Sequence, residues 1–304
     1  MNRILILAAW VAAALLPGAG TSAASTPAAA QATSIAAALQ AVDRASSVEI
    51  SAYSLSMRTS MYRHLVAAAA RGARVEVIVT GTGMGYAVRD NERLAAAAPE
   101  LHVRLAAEPL HVKALLAGSR VFLDDRNWAT RSLVIELPEG AASAVRRAID
   151  GDATAAYGDV TFSKGASLRR EAQLLARARS QIALESESFG AENPVYDALR
   201  AAARRGVTVR VLVNAEDAKD DQREAAAIAV LERAGVQVAY TSATDKLAIV
   251  DGRAAWVGSS NASEGVQDQI DWGVTTTDGR MLRQIEGTFE RSTSQGHEPL
   301  YSAP

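Results

Sequence analysis

Short apolar runs alternate along the chain with segments whose apolar residues recur every three or four positions. In the first half, residues 48–53 and 74–79 have the apolar, β-branched composition of strands, and residues 34–45 and 61–70 have the spacing of helices. A helix of about ten residues between two strands is typical of a βαβ unit. The pattern therefore predicts an α/β lobe with a mixed, largely parallel sheet flanked by helices.

The same order of elements recurs in the second half, where the predicted helices and strands are residues 168–178, 181–187, 195–204 and 207–213. In each half, the helix before the last strand ends in an Arg-Gly pair, so that Gly72 and Gly206 occupy equivalent places. A glycine here suits the left-handed residue that follows a helix. The repeat predicts two similar lobes, residues 34–150 and 160–295, that form one cleft.

Residues 1–24 have the features of a secretory signal peptide. Arg3 precedes an apolar run over residues 4–16, and small residues follow it. The run is shorter than the roughly 20 residues that span a bilayer. We therefore expect an exported protein, periplasmic or secreted, with a flexible leader over residues 25–33.

Composition narrows the possible functions. The chain has 304 residues, 49% of them hydrophobic and 22% charged, which is typical of a globular protein. A formal net charge of −2 and an aromatic content of 5% disfavour broad coating of nucleic acid and stacking on single strands. The absence of cysteine excludes disulfides, thiolate catalysis and cysteine-bound zinc.

Two polar motifs occupy matching places in the repeat. The first contains His111 and Lys113, followed by Asp124-Asp125-Arg126-Asn127; the second contains Thr244, Lys246 and Asp251, followed by Gly258-Ser259-Ser260-Asn261. The interval between the two lysines and the interval between the two asparagines agree to within one position. Alternation along a strand places His111 and Lys113 on one face.

These motifs resemble the phospholipase D superfamily, whose pattern is H-x-K, four residues, Asp, six residues, Gly-Ser and then asparagine. The second copy matches every interval from Lys246 to Asn261, but Thr244 stands at the histidine position. In the first copy, Ala117 or Gly118 stands at the Asp position. The resemblance covers nearly the whole chain after the signal peptide.

The resemblance implies two phospholipase D-like lobes related by a pseudo-twofold axis, with both motifs at one cleft. His111 would be the nucleophile, and Lys113 and Lys246 would hold the phosphate. The remaining site residues would be Asn127, Ser259, Asn261 and Thr244 at the substrate, with Asp251 and Asp271 orienting these groups. The chemistry needs no metal or other cofactor.

Asp124 and Asp125 stand where the family has Gly-Ser, and two interpretations stay open. The carboxylates would repel a phosphate unless Arg126 or Lys113 neutralises them. Alternatively, they cap an Asp-rich turn. The other histidines are expected outside the site, although His102 shortly precedes His111 in the sequence.

Thr244 is the most informative departure, because a threonine hydroxyl cannot act as a general acid near neutral pH. A positioned acid contributes about 10²–10⁴-fold, and it matters most for poor leaving groups. We therefore expect activity biased toward activated diesters, and a gain on natural diesters from Thr244→His. The competing hypothesis is that His102, or a protonated Asp124 or Asp125, has become the acid.

The sequence thus favours an exported phosphodiesterase or phosphatidyltransferase that uses a phosphohistidine intermediate and acts on phospholipid. Two alternatives remain: a member of the family that binds phosphate or lipid without turnover, and a nuclease, which the charge balance disfavours. We expect a monomer with two pseudo-twofold lobes. Any membrane contact would be peripheral, because no strongly amphipathic basic helix is evident.

Overall fold

The computed structural model describes residues 30–242, 245–263 and 268–294. The predicted signal peptide lies outside the described residues, and so does Thr244. Among the residues that are described, no helix combines the length and the apolar character needed to cross a membrane.

The first lobe is built on a seven-stranded sheet with the strand order β1-β7-β6-β5-β2-β3-β4. Its strands are β1 (Gln31–Thr33), β2 (Ser47–Ala52), β3 (Arg74–Thr80), β4 (Val103–Ala106), β5 (Ala114–Ala117), β6 (Arg120–Asp124) and β7 (Val134–Leu137). Its helices are α1 (Ile35–Arg44), α2 (Ser60–Ala70), α3 (Gly85–Ala97) and α4 (Ala142–Ile149).

The second lobe is built on an eight-stranded sheet with the strand order β12-β11-β10-β13-β14-β15-β9-β8. Its strands are β8 (Ala156–Tyr157), β9 (Val160–Lys164), β10 (Gln181–Ser186), β11 (Thr208–Asn214), β12 (Gln237–Thr241), β13 (Leu247–Val250), β14 (Ala254–Gly258) and β15 (Ile270–Thr276). Its helices are α5 (Ala166–Ala176), α6 (Pro194–Arg204), α7 (Ala215–Asp220), α8 (Gln222–Arg233) and α9 (Gly279–Ser294).

The predicted mixed α/β sheets with flanking helices are confirmed, but the sheets are less parallel than predicted. In the first lobe only β2, β3 and β4 run parallel among the described strands; the other neighbouring pairs are antiparallel. The second lobe repeats this with β10, β11 and β12. The reason is local: short turns join β5 to β6 and β13 to β14, and a short turn reverses the chain.

The duplication extends to the strand register. Ser47 pairs with Arg74 in the first lobe, and Gln181 pairs with Thr208 in the second, so both partners shift along the chain by the same interval. The helices before β3 and β11 end at the predicted glycines, whose φ angles are +88° at Gly72 and +84° at Gly206. These angles lie in the left-handed region that glycine enters without steric cost.

The N-terminal segment differs from the prediction of a flexible leader over residues 25–33. Residues 31–33 form β1, which pairs antiparallel with β7 at the edge of the first sheet. Ala32 is buried in the core, whereas the composition of the segment gave no strand pattern. The pairing arises because β7 otherwise presents an open edge.

The two lobes share one continuous apolar core in addition to the core within each lobe. This shared core includes Leu116 and Val121 from the first lobe and Trp272 and Ile285 from the second. The indole nitrogen of Trp272 donates to the backbone oxygen of Asp124 at 2.9 Å, across the junction. The packing at this junction therefore fixes the position of the first motif relative to the second.

Candidate active site

A cleft of about 620 Å³ lies between the lobes, at the ends of the parallel strands where ligands bind in many α/β folds. The first lobe contributes Tyr53, Met84, Tyr86, His111 and Asn127. The second lobe contributes Glu187, Phe189, Arg223 and Asn261 among others. Both motifs therefore reach the same cleft.

His111 is held by contacts from both lobes. Its backbone nitrogen donates to the oxygen of Ile270 at 3.0 Å, and its Nδ1 lies 2.7 Å from Oδ1 of Asp271. The Tyr53 ring packs edge-on against the imidazole, with 5.3 Å between the ring centroids. Because Nδ1 is engaged by a carboxylate, Nε2 is the ring nitrogen left for chemistry.

The environment of His111 favours the neutral imidazole. Burial lowers the pKa of His111 most, and the positive charge of Lys113 lowers it further. The Asp271 carboxylate raises this pKa, but only enough to offset part of the decrease. A neutral ring with an Nδ1 proton directed at Asp271 leaves a lone pair on Nε2. That is the form that a histidine nucleophile requires.

Asp271 orients more than the imidazole. Its Oδ1 also accepts the hydroxyl of Ser259 at 2.7 Å, and Ser259 in turn accepts the backbone N–H of Trp272 at 3.1 Å. Asp271 therefore contacts both His111 and Ser259. Ser259, predicted at the substrate, is fully buried and instead donates to this carboxylate.

Lys113 is a buried amine, 1% exposed, and its Nζ has no hydrogen-bond partner among the described residues. Burial, followed by the charge of Lys246, lowers the pKa of Lys113 to about 7. The two lysines are therefore close enough to repel one another. An anion between them would relieve this repulsion.

Lys246, in contrast to Lys113, has surroundings that favour its ammonium form. Its Nζ lies 2.9 Å from Oε2 of Glu187, and its backbone N–H donates to Oδ2 of Asp125 at 3.1 Å. Burial opposes the ammonium, but the carboxylates of Glu187 and Asp125 outweigh it and raise the pKa of Lys246. The same pairing lowers the pKa of Glu187 to about 2.

The two motif asparagines differ in what they contact. Oδ1 of Asn127 accepts the backbone N–H groups of Tyr53 at 3.1 Å and Ser54 at 3.4 Å, which shapes the wall beside His111. Oδ1 of Asn261 is buried without a hydrogen-bond partner among the described residues. Both asparagines line the cleft, where the prediction placed them.

Asp124 and Asp125 act as caps, which favours the second of the two interpretations. Asp124 accepts the N–H of Trp128 at 2.7 Å, where Trp128 has a left-handed φ of +57°. Asp125 accepts the N–H of Leu133 at 3.0 Å, besides that of Lys246. Burial raises the pKa of both carboxyl groups, so negative charge at this turn is reduced.

Acidic side chains from the two lobes also interact across the lobe junction. Burial, and secondly the charge of Asp245 in the other lobe, raises the pKa of Asp125. The backbone N–H of Asp245 donates to Oε1 of Glu185 at 3.0 Å. Burial raises the pKa of Asp245 and of Glu185 as well.

Asp251 does not orient the site residues as predicted. It lies in the turn after β13, whereas Lys246 precedes that strand, so the two residues are at opposite ends. Its carboxylate accepts the backbone N–H groups of Arg179, Ser180 and Gln181. Burial works against the charge, but these amides outweigh it and lower the pKa of Asp251.

His102 lies at the wrong end of the first sheet to serve as an acid. It is exposed, has a φ of +46° and precedes β4, whereas Tyr53 follows β2 at the cleft. Since β2, β3 and β4 are parallel, the beginning of one and the end of another lie at opposite edges. Within the described parts of the chain, no cluster of three His, Asp or Glu side chains is arranged to hold a metal ion.

Three charged residues at or behind the cleft were missed by the sequence analysis: Glu185, Glu187 and Asp245. Asp245 stands between Thr244 and Lys246 in the motif, where alternation turns it toward the lobe junction. Glu187 could have been found from the repeat, because it follows Tyr53 by the same interval that separates Gly72 from Gly206. Together the site offers an oriented imidazole, two buried amines and a carboxylate.

A family model described as "Cardiolipin synthase, PLD-like domain" matches residues 172–293, most of the second lobe. No curated protein matches the sequence.

Solved structures share the fold at low sequence identity. The chain is similar to phosphatidylserine synthase of Haemophilus influenzae, with a TM-score of 0.64 and 10% identity over 89% of this chain and 87% of that one. It is also similar to polyphosphate kinase of Porphyromonas gingivalis, with a TM-score of 0.57 and 15% identity over 89% of this chain; it spans 50% of that kinase. Nuc of Salmonella typhimurium, a phospholipase D family member, matches with a TM-score of 0.43 and 21% identity over 47% of this chain and 97% of that one.

Proposed function

We propose that the chain belongs to the phospholipase D superfamily, whose PLD-like domain model matches residues 172–293, and that it cleaves phosphodiesters through a covalent phosphohistidine on His111. The observation that carries the proposal is the His111–Asp271 pair, which presents a neutral, oriented imidazole to the cleft, with the buried amines of Lys113 and Lys246 close enough for their charges to act on it. An imidazole nucleophile divides a difficult displacement into two easier ones.

The proposed reaction has two displacements at phosphorus. In the first, Nε2 of His111 forms a bond to phosphorus while the bond to the leaving oxygen breaks, and that oxygen takes up a proton. In the second, the oxygen of water or of an alcohol attacks and loses its proton, and the P–N bond breaks to restore His111. Lys113 and Lys246 neutralise the charge that builds on the non-bridging oxygens.

We propose phospholipid as the substrate. The outer rim of the cleft carries Met84 and Tyr86, whose side chains are large and apolar and are 59% and 55% exposed. The cleft is also lined by the carboxylates Glu187, Asp221 and Glu224, which would repel the successive phosphates of a nucleic acid. A phospholipid brings one diester and apolar chains. The names of the matching family model and of the synthase neighbour point to the same substrate class.

We also propose that the protein is exported and acts as a monomer. The proposal rests on the signal-peptide pattern of residues 1–24, which an exported phosphodiesterase would lose on secretion. Outside the cytoplasm, its contact with membrane lipid would be peripheral, through the exposed rim of the cleft. Detection of the processed chain in a periplasmic or culture fraction tests the export.

The function is tested by offering the purified protein three classes of diester: phospholipid vesicles, single- and double-stranded DNA, and a nitrophenyl diester. We expect turnover of phospholipid and of the nitrophenyl diester, and none with His111→Ala that still melts cooperatively. Acid-labile, base-stable phosphate on His111, trapped during turnover of a diester labelled at phosphorus, identifies the intermediate.

Three outcomes would overturn parts of the proposal. Full activity of His111→Ala would remove the nucleophile assignment. Turnover confined to DNA would make the protein a nuclease. Binding of phosphate or vesicles without turnover of any diester would make it a binding protein that has kept the fold.

A further inference from the structure

Glu187 occupies the place in the second lobe that Tyr53 occupies in the first. Each residue directly follows the first of the three parallel strands of its lobe, β2 or β10, and the two are separated by the same interval that relates the strand registers. Tyr53 packs against His111, the motif histidine of its lobe. By the repeat, Glu187 is therefore the counterpart, in the second lobe, of the residue that packs against the motif histidine in the first.

The contacts of Glu187 direct its carboxyl group toward the phosphate site. Oε2 lies 2.9 Å from Nζ of Lys246, and the side chain lines the cleft with 41% of its surface exposed. The carboxylate also interacts with the charges of Lys113 and His111. His111 comes from the first lobe and Glu187 from the second, and both line the cleft.

We propose that Glu187 is the catalytic acid and base of this site, in place of the histidine that Thr244 replaces. This inference rests on the proposed phosphodiesterase function. It deepens that function, because it names a residue that protonates the leaving oxygen. In-line displacement requires the nucleophile and the acid on opposite faces of phosphorus, and in this proposal His111 and Glu187, which come from different lobes, take those two faces.

Substrate binding supplies the condition under which Glu187 takes up its proton. In the free protein Glu187 is ionised and paired with Lys246. A bound diester is an anion that competes for Lys246 and lies beside the carboxylate, so its charge raises the pKa of Glu187. The other charged groups that face or line the cleft are Lys113, His111, Asp221, Arg223 and Glu224.

The proton balance then closes over the two displacements. A proton enters Glu187 from solvent when the diester binds. In the first displacement, Nε2 of His111 bonds to phosphorus, the bond to the leaving oxygen breaks, and that oxygen takes the proton of Glu187. In the second, the Glu187 carboxylate takes the proton of the attacking water or alcohol while the P–N bond breaks. No further reactant is needed.

The first test compares rates over diesters whose leaving alcohols differ in acidity, for the wild type, Glu187→Gln and Glu187→Asp. Glu192→Gln serves as a matched control, because Glu192 is exposed and is not part of the cleft lining. We expect Glu187→Gln to lose about 10²–10⁴-fold on alkyl diesters and far less on a nitrophenyl diester, whose leaving group needs no proton. Glu187→Asp should recover part of the loss, and Glu192→Gln should match the wild type.

The second test needs no turnover and uses inorganic phosphate as the probe. Because Glu187 competes for Lys246, Glu187→Gln should bind phosphate several-fold more tightly than the wild type, as measured by calorimetry. Glu192→Gln should not.

The outcomes separate this inference from the proposed function. An equal loss on every diester, no loss at all, or unchanged phosphate affinity overturns the role of Glu187 while the function stands. A wild type that turns over no diester overturns the function and the acid role together; tighter phosphate binding by Glu187→Gln would then still place the carboxylate at the anion site.

Discussion

Nδ1 of His111 lies 2.7 Å from Oδ1 of Asp271, although 160 residues separate the two in sequence and they belong to different lobes. The pair exists only when the lobes are docked. Ser259 holds the same carboxylate oxygen from the other side at 2.7 Å. The orientation of the nucleophile therefore depends on the lobe junction, whose integrity can be tested through activity.

Asp271→Asn should lower kcat by about 10²–10⁴-fold, because the amide no longer carries the charge that stabilises an imidazolium or sets the tautomer. Asp271 raises the pKa of His111, so its loss should lower that pKa further. The acid limb of the kcat/KM profile, which reports the neutral imidazole, should therefore shift to lower pH. Ser259→Ala keeps the carboxylate and should leave the acid limb near its wild-type position. If the acid limb of the kcat/KM profile stays at the wild-type pH in Asp271→Asn, the pairing of Asp271 with His111 is contradicted.

Each motif lysine should contribute to the transition state. Removing one, as Lys113→Ala or Lys246→Ala, should cost about 2–4 kcal/mol of stabilisation, comparable to losing one oxyanion donor. The measurement is kcat/KM on a nitrophenyl diester. Arg253, on the distant turn between β13 and β14, gives a control variant, Arg253→Ala, that should retain full activity. A cost below twofold at either lysine would contradict its place at the phosphate.

Lys113→Met should stabilise the fold while it abolishes activity, because the buried amine has no hydrogen-bond partner within the described chain. Below pH 7 the lysine is protonated in both the folded and unfolded states, and the full cost of the buried charge is present. Between pH 7 and about 10.4, the folded state has released its proton and the unfolded state has not, so the stability of the wild type rises with pH.

The stability advantage of Lys113→Met should therefore be at least about 1 kcal/mol at pH 6 and shrink by pH 9, since one pKa unit is worth about 1.4 kcal/mol. Urea unfolding of both proteins at the two pH values measures it. An advantage that is absent at pH 6, or that grows with pH, would show that the ammonium is paired.

Thr244→His separates the two accounts of the missing acid. If the site lacks an acid, the new imidazole should raise turnover of alkyl diesters in the wild-type background. If Glu187 is the acid, the gain should be small there and large in Glu187→Gln, where the imidazole restores a proton donor. Rates across diesters of graded leaving-group acidity give the comparison. If Thr244→His raises turnover in neither background, both hypotheses are contradicted: that the site lacks an acid, and that Glu187 is the acid.

Asp251→Ala should destabilise the second lobe without changing the chemistry. Its carboxylate caps three consecutive amides, and loss of a capping carboxylate typically costs about 1 kcal/mol. Because the pKa of Asp251 is lowered in the folded state, this contribution is present above about pH 4 and is lost as the pH falls through the folded pKa. Urea unfolding at pH 7 and kcat on a nitrophenyl diester measure the two effects. A large fall in kcat with unchanged stability would restore an orienting role.

The motif spacing in the sequence predicted a set of residues at one site, and the structure brings only some of them together. His111, Asn127 and Asn261 line one cleft, and Lys113 and Lys246 lie close enough for their charges to interact. The periodic helices and strands were also found near their predicted bounds. These features could be read from the sequence because they depend on backbone geometry over a few residues and on a repeat that copies it.

The roles of the acidic residues could not be read in this way. Asp251 and Asp271 were given the same role from the motif, yet one caps amides at the far end of β13 and the other binds the nucleophile. Asp124 and Asp125 stayed ambiguous until their amide partners were known. The role of a carboxylate depends on the hydrogen-bond donors around it. Here those donors come from other segments of the chain.

By itself, then, the sequence determined the duplication, the α/β lobes, the histidine that lines the cleft and the two lysines whose charges act on it, since each follows from local periodicity. The tertiary structure decided which carboxylate orients His111, that residues 31–33 add a strand, and that Glu187 pairs with Lys246. Those features depend on packing between segments far apart in the chain, where burial and charge pairing select one partner among many.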